Sequence, residues 1–82
     1  MENNRFKLDV PNVGHIVIEG TGPWCVHEYN RSSFEIRDST GRTTNPTHTN
    51  SLGRTSSNVV WAGKSVPNII VAALNAALAA SK

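Results

Sequence analysis

Carboxylates are missing from more than half of this chain. All six acidic residues lie within the first 38 of 82 residues, and none follows Asp38. The formal charge is therefore −2 over residues 1–38 and +4 over residues 39–82. The total of +2 is too small to indicate nucleic-acid binding by itself. The uneven distribution indicates that the second part of the chain is the one suited to an anion or a polar partner.

Cysteine is nearly absent, since Cys25 is the only one. An intramolecular disulfide is excluded, and one thiol with three widely spaced histidines matches no zinc-finger pattern. We expect no metal site and no cofactor. A domain this small usually needs a source of stability besides its core, such as a disulfide, a metal or oligomerisation. Of these, oligomerisation is the one that remains.

Long hydrophobic runs are also missing, because no segment approaches the roughly 18 consecutive apolar residues of a membrane span. The first residues show no basic leader followed by an apolar run, so we expect no signal peptide and a cytoplasmic location. The length predicts one small domain over residues 1–82.

Alternating apolar residues predict an antiparallel sheet. Phe6, Leu8 and Val10 share one side of a strand over residues 5–10. Further strands are predicted over 15–19, 24–29 and 33–37, with a fifth candidate over 58–62. The predicted fold class is α+β, with an antiparallel sheet of four to five strands and one C-terminal apolar helix packed on it.

The predicted helix spans about residues 66–80, and twelve of these fifteen residues are Val, Ile, Leu or Ala. Asn68, Asn75 and Lys82 recur every seven residues and define one narrow polar stripe. Such a helix is too apolar for one sheet to cover. A second copy of the chain, a hydrophobic partner and half-exposed alanines are competing explanations. For the first, the predicted interface consists of Ile70, Ala73, Leu74, Ala77 and Leu78.

Residues 39–58 form a segment that we call the polar tract. It has ten hydroxyl side chains and one aliphatic residue, Leu52. The sequence Gly-Arg-Thr begins at both Gly41 and Gly53, although so short a match does not establish a repeat. A structureless loop of this length is unusual in a compact domain, so we expect a functional loop or an extended hairpin bent near Pro46.

The cations in and beside the tract predict a binding surface. Guanidinium groups, neighbouring hydroxyls and glycine backbone are the groups that recognise phosphate or acidic protein surfaces. A solvated mobile loop and a polar contact loop without a defined anion are the alternatives. The predicted ligand- or partner-binding residues are Arg37, Arg42, Thr43, Arg54, Thr55 and Lys64.

Catalytic patterns are weak, and we predict no catalytic residues. Cys25 and His27 are two positions apart on one predicted strand, which strains a direct nucleophile–base contact, so a buried or half-buried structural cysteine is expected. The glycines of the tract lack the Gly-Lys-Ser/Thr ending of a phosphate-binding loop.

These features favour a small non-enzymatic binding or inhibitor-type protein that acts by stoichiometric contact. The partner would be a protein or a small phosphorylated ligand, and a homo-oligomer would present the tract in several copies. Compact accessory and phage-encoded inhibitors offer an analogy in size and lack of catalytic groups only. A nucleic-acid-binding protein and a structural assembly subunit are the alternatives.

Overall fold

The computed structural model describes residues 5–80, which form two antiparallel sheets and a C-terminal helix. The elements are β1 (Arg5–Val10), β2 (Gly14–Glu19), β3 (Cys25–Asn30), β4 (Ser33–Arg37), β5 (Thr47–Thr49), β6 (Thr55–Ser57) and α1 (Ser65–Ala80). One sheet has the order β1-β2-β5-β6 and the other pairs β3 with β4. The predicted α+β class is confirmed, although the strands divide between two sheets.

Strand alternation places the core where the sequence pattern predicts it. Leu8 faces Ile16 and Phe6 faces Ile18 in the β1–β2 register, so their side chains share the inner face of the sheet. Ile36 of β4 and Trp24 enter the same core, and the Phe6 ring meets the Trp24 ring edge-on at 4.8 Å.

The polar tract is folded along the first sheet instead of forming a free loop. Thr47–Thr49 pairs with β2, and Thr55–Ser57 pairs with Thr47–Thr49 as a short hairpin. Thr44 is buried and donates its hydroxyl to the carbonyl oxygen of Ile36 at 2.8 Å. His48 Nε2 lies 2.7 Å from the carbonyl oxygen of Val13. The fifth strand predicted over 58–62 is reduced to a single bridge between Trp61 and Phe34.

Helix α1 covers the core with one side and exposes mostly alanine on the other. Ile70 and Leu74 are buried in the protein's own core, and Ala73 and Leu78 pack against it. The predicted interface between copies is therefore wrong for Ile70 and Leu74, because neither side chain is accessible. Of the five predicted interface residues only Ala77 is exposed, and a half-exposed alanine costs little.

The predicted polar stripe of the helix also has a different role. The Asn75 side-chain amide accepts a hydrogen bond from the Trp24 backbone N–H at 2.9 Å and donates one to the Trp24 carbonyl oxygen at 3.1 Å. It therefore pairs with Trp24 as the backbone of a neighbouring strand would, and it fixes the helix to the start of β3. Asn68 is exposed, and Lys82 lies outside the described residues.

Candidate partner-binding surface

The six predicted binding residues are divided among three places. Arg37 and Thr43 face each other across an antiparallel bridge, next to Arg42. Arg54 and Thr55 lie on the β5–β6 hairpin. Lys64 precedes the helix, with its ammonium group 5.7 Å from the centre of the Phe34 ring. The structure therefore does not bring the six residues into one pocket.

Arg37 is already neutralised within the protein. Its Nε and a terminal nitrogen both lie 2.8 Å from the same Glu35 carboxylate oxygen. Glu35 is buried, so its charge needs this partner. Arg37 is therefore a structural cation. Arg42 and Arg54 are exposed and have no ion pair with another residue in the range 5–80, which leaves them as the better binding candidates.

Arg42 closes a tight turn over residues 38–42, which we call the Arg42 turn. The Asp38 N–H donates to the Arg42 carbonyl oxygen, and the Gly41 N–H donates to the Asp38 carbonyl oxygen, each at 3.0 Å. Gly41 has a φ of 85°, which glycine adopts more readily than other residues. The pattern is that of a type I turn followed by a glycine bulge, a common way to close a hairpin.

The Asp38 carboxylate holds the Arg42 turn together from inside. One oxygen accepts bonds from the Thr40 hydroxyl at 2.6 Å and from the backbone N–H groups of Thr40 and Arg42 at 3.0 and 3.1 Å. The other accepts the Thr21 N–H at 3.1 Å, which ties the turn to the segment that follows β2. The hydroxyl of Thr40, followed by the backbone N–H groups, lowers the pKa of Asp38 from 3.8 to about 2.

Arg54 closes a second turn over residues 50–54, the Arg54 turn, which is built in the same way. The Asn50 N–H donates to the Arg54 carbonyl oxygen at 2.9 Å, and the Gly53 N–H donates to the Asn50 carbonyl oxygen at 3.0 Å. The Asn50 side-chain oxygen accepts the N–H groups of Leu52 and Arg54. Gly53 has a φ of 82°. An uncharged amide thus replaces the carboxylate of the Arg42 turn.

Because the two turns are built in the same way, the short sequence match between them corresponds to a structural repeat. The match extends backwards from Gly-Arg-Thr to the Asx residue that opens each turn, so that Asp-Ser-Thr-Gly-Arg-Thr corresponds to Asn-Ser-Leu-Gly-Arg-Thr. The longer correspondence was not predicted, because the sequence match noted above begins at the glycine. The available signal was an Asx residue three positions before a glycine, since Asx side chains commonly bond to the backbone of a turn that they open.

The two turns lie at opposite ends of β2. The Glu19 N–H donates to the Thr44 carbonyl oxygen at one end, and His15 pairs with Thr49 at the other. These ends are about 14 Å apart, because Glu19 is four residue steps from His15 and each step rises about 3.4 Å. Arg42 lies beyond the Glu19 end of β2 and Arg54 lies beyond the His15 end, so the two arginines form two separate contact points.

One cleft lies close to the Arg54 turn and is lined by none of the predicted binding residues. It has a volume of about 870 Å³ and is lined by residues 9–15 and 49–51. Its ionisable groups are Asp9 and His15, whose carboxylate and imidazole are in contact. A cleft with one carboxylate and no lysine or arginine is poorly suited to a phosphorylated ligand.

Other predicted candidates are dispersed. Cys25 is exposed on β3, so the prediction of a buried or half-buried cysteine is wrong. Within residues 5–80, no three histidine, cysteine or carboxylate side chains are grouped as metal ligands.

In that part of the chain, no helix has the length and hydrophobicity needed to cross a bilayer.

Comparison with known proteins gives no further assignment. No protein-family model, no curated protein and no solved structure matches this chain. The two arginine turns and their surroundings are therefore the features of this protein that bear on its function.

Proposed function

We propose that this protein is a non-enzymatic binding protein that acts by stoichiometric contact with an acidic region of a protein partner. The observation that supports this best is the pair of turns of the same build. Each presents an exposed arginine without an internal counter-ion among residues 5–80. The two arginines, Arg42 and Arg54, are the contact residues, and Thr43 and Thr55 follow them as neighbouring hydroxyl groups.

The separation of the two turns favours a protein over a small phosphorylated ligand. A phosphate group is recognised by donors that converge on it. Here the candidate donors lie beyond the two ends of β2, and the cleft between sheet and turn carries a carboxylate. A protein surface is large enough to contact both turns at once, and its carboxylates accept arginine bidentately.

A rigid presentation of the arginines also supports stoichiometric contact. Each turn is fixed by two backbone hydrogen bonds and by an Asx side chain, and the Arg54 turn continues into the paired β5–β6 hairpin. A preordered loop loses less conformational entropy on binding than a mobile one. This geometry argues against the alternative of a solvated, mobile tract.

Affinity capture with matched variants tests the proposal. The immobilised protein is compared with Arg42→Ala/Arg54→Ala and with a control, Lys7→Ala/Arg31→Ala, which removes the same charge from exposed sites outside the tract. Retained proteins are quantified by mass spectrometry, and circular dichroism checks the fold of each variant. We expect a partner that the wild type and the control retain and that the arginine variant loses.

Native mass spectrometry of the purified complex then identifies what is bound. A fixed whole-number ratio of partner protein to this chain is expected. Equal retention by the arginine variant would contradict the proposal. So would a bound mass that corresponds to a nucleotide, which would favour the small ligand, or to nucleic acid, whose binding falls steeply with salt.

A further inference from the structure

The Arg54 turn carries an apolar side chain that does not pack against the core. Leu52, at the tip of the β5–β6 hairpin, is 83% exposed, more than any other large hydrophobic residue among those described. The corresponding residue in the Arg42 turn is Thr40, whose hydroxyl bonds to Asp38. Turn formation therefore does not require leucine at this position, and its exposure to water is unfavourable unless another surface covers it.

The cleft of about 870 Å³ begins at the base of the same turn, since Asn50 and Ser51 form part of its wall. The opposite wall is the β1–β2 connection, with Val10, Pro11 and Val13 as apolar lining. A projecting leucine and a cleft with apolar residues in one wall therefore lie next to each other on one surface.

The Arg54 turn and the cleft carry opposite charges. Arg54 is exposed on the turn and has no ion pair within residues 5–80. Asp9 lines the cleft with its side chain 77% exposed, and within residues 5–80 its carboxylate contacts the His15 imidazole and no lysine or arginine. A guanidinium group that approaches the cleft from outside therefore meets a carboxylate with free acceptor positions.

We propose that two copies of the chain associate about a twofold axis, each inserting Leu52 into the cleft of the other and placing Arg54 beside the other copy's Asp9. A projection next to its complementary cleft is the arrangement that a twofold contact requires, because the same patch then serves both copies. The axis would lie between the projection and the cleft.

The dimer goes beyond the proposed function and does not depend on it. The Arg42 turn lies at the opposite end of β2, so both copies would leave Arg42 exposed. The Arg54 turn would be covered. A protein partner that contacts both arginines would therefore compete with self-association and bind one copy of the chain.

Sedimentation velocity over a series of protein concentrations tests the dimer without any partner. We expect a monomer–dimer equilibrium in the wild type and at least about tenfold weaker dimerisation in Leu52→Ser, since a buried anchor usually dominates a small interface. Ile69→Ser is the matched control, because Ile69 is 48% exposed on α1 and lies outside the proposed contact. A wild type that stays monomeric at every concentration would overturn the proposal, and so would loss of the dimer in Ile69→Ser alone.

Charge exchange tests the orientation of the two copies. Arg54→Glu and Asp9→Lys should each weaken the dimer, and the double variant should restore it because the pair is re-formed with reversed signs. Failure of the double variant to recover, with its fold intact by circular dichroism, would exclude the Arg54–Asp9 contact.

Crosslinking tests directly whether Leu52 of one copy lies beside the cleft of the other. In a Cys25→Ser background, Leu52→Cys protein is mixed with Pro11→Cys protein and treated with a short bismaleimide. The mixed crosslink is expected between these two variants and not between Leu52→Cys and Ser32→Cys, because Ser32 lies on the β3–β4 turn. Equal crosslinking of both mixtures would show random collision and contradict the proposed arrangement.

Discussion

The two arginine turns have the same backbone design but different attachment to the rest of the protein. In the Arg42 turn, a buried carboxylate collects four hydrogen bonds, one of them from Thr21 in the segment that follows β2. In the Arg54 turn, an amide oxygen accepts two bonds, both from within the turn. The Asx residue and the glycine are common to both turns and specify the turn, whereas the attachment to the rest of the protein depends on the Asx type, since the second carboxylate oxygen of Asp38 accepts the Thr21 N–H.

Substitution of the Asx residues, Asp38 and Asn50, should cause the largest loss of stability in this comparison. Asp38→Ala removes the acceptor of three backbone N–H groups and one hydroxyl, at a position that is 7% exposed. Asn50→Ala removes the acceptor of two N–H groups that water can reach, and we expect a loss of about 1 kcal/mol. Urea unfolding of both variants should rank Asp38→Ala as clearly less stable. Equal losses would show that the attachment to Thr21 contributes nothing.

Acid should destabilise the Arg42 turn specifically. The pKa of Asp38 is lowered to about 2 in the folded protein, below its ordinary value of 3.8. The corresponding stabilisation is therefore complete above about pH 4 and is lost as the pH falls through the folded pKa. Urea unfolding at several pH values should show the advantage of wild type over Asp38→Asn shrinking between about pH 4 and pH 2. An advantage that does not change with pH would mean that the charge of Asp38 is not involved.

The two turn glycines should respond alike. A Cβ atom at Gly41 or Gly53 would meet nothing within 4 Å, so alanine adds no clash and only the cost of a positive φ. We expect each substitution to lower the free energy of unfolding by about 1–2 kcal/mol. Thermal unfolding of both variants provides the measurement. A much larger loss for Gly41→Ala would mean that the Arg42 turn cannot adjust because it is attached to the core.

The smallest effect on stability should come from Leu52. Leu52→Thr introduces the residue type found at the same place in the Arg42 turn, and Leu52 makes no contact with the core. The free energy of unfolding should stay within about 0.5 kcal/mol of wild type. The reverse exchange, Thr40→Leu, removes the hydroxyl bond to Asp38 and should cost more. A destabilising Leu52→Thr would show that Leu52 serves the fold, which would weaken the argument for a contact role.

The periodicity of the sequence predicted most of the fold because the signals are local. Phe6, Leu8 and Val10 alternate as a strand must when one face is covered, and the long run of alanine with Val, Ile and Leu in α1 is typical of an apolar helix. The division into two sheets was not predictable in this way. It depends on which strands pair, and the β2–β5 pairing joins segments some thirty residues apart.

The candidate binding surface was predicted only in part. The tract and the residues Arg42 and Arg54 follow from charge distribution and composition, and their use in binding remains a prediction. Arg37 is a weaker candidate than the sequence indicated, because its counter-ion, Glu35, lies just before the acid-free segment and on the same face of β4. Leu52 was noted as the one aliphatic residue of the tract, but its exposure depends on where the hairpin tip points.

By itself, the sequence determined the element types, the core-facing residues of the strands and the acid-free segment that contains Arg42 and Arg54, because these depend on local spacing and charge. Only the tertiary structure decided that Ile70 and Leu74 belong to the protein's own core, that Asn75 binds the backbone of Trp24, and that the two arginines lie apart. Each of these depends on which distant segments come together. The free energy of such long-range pairing is shared among many residues, so no short pattern in the chain records it.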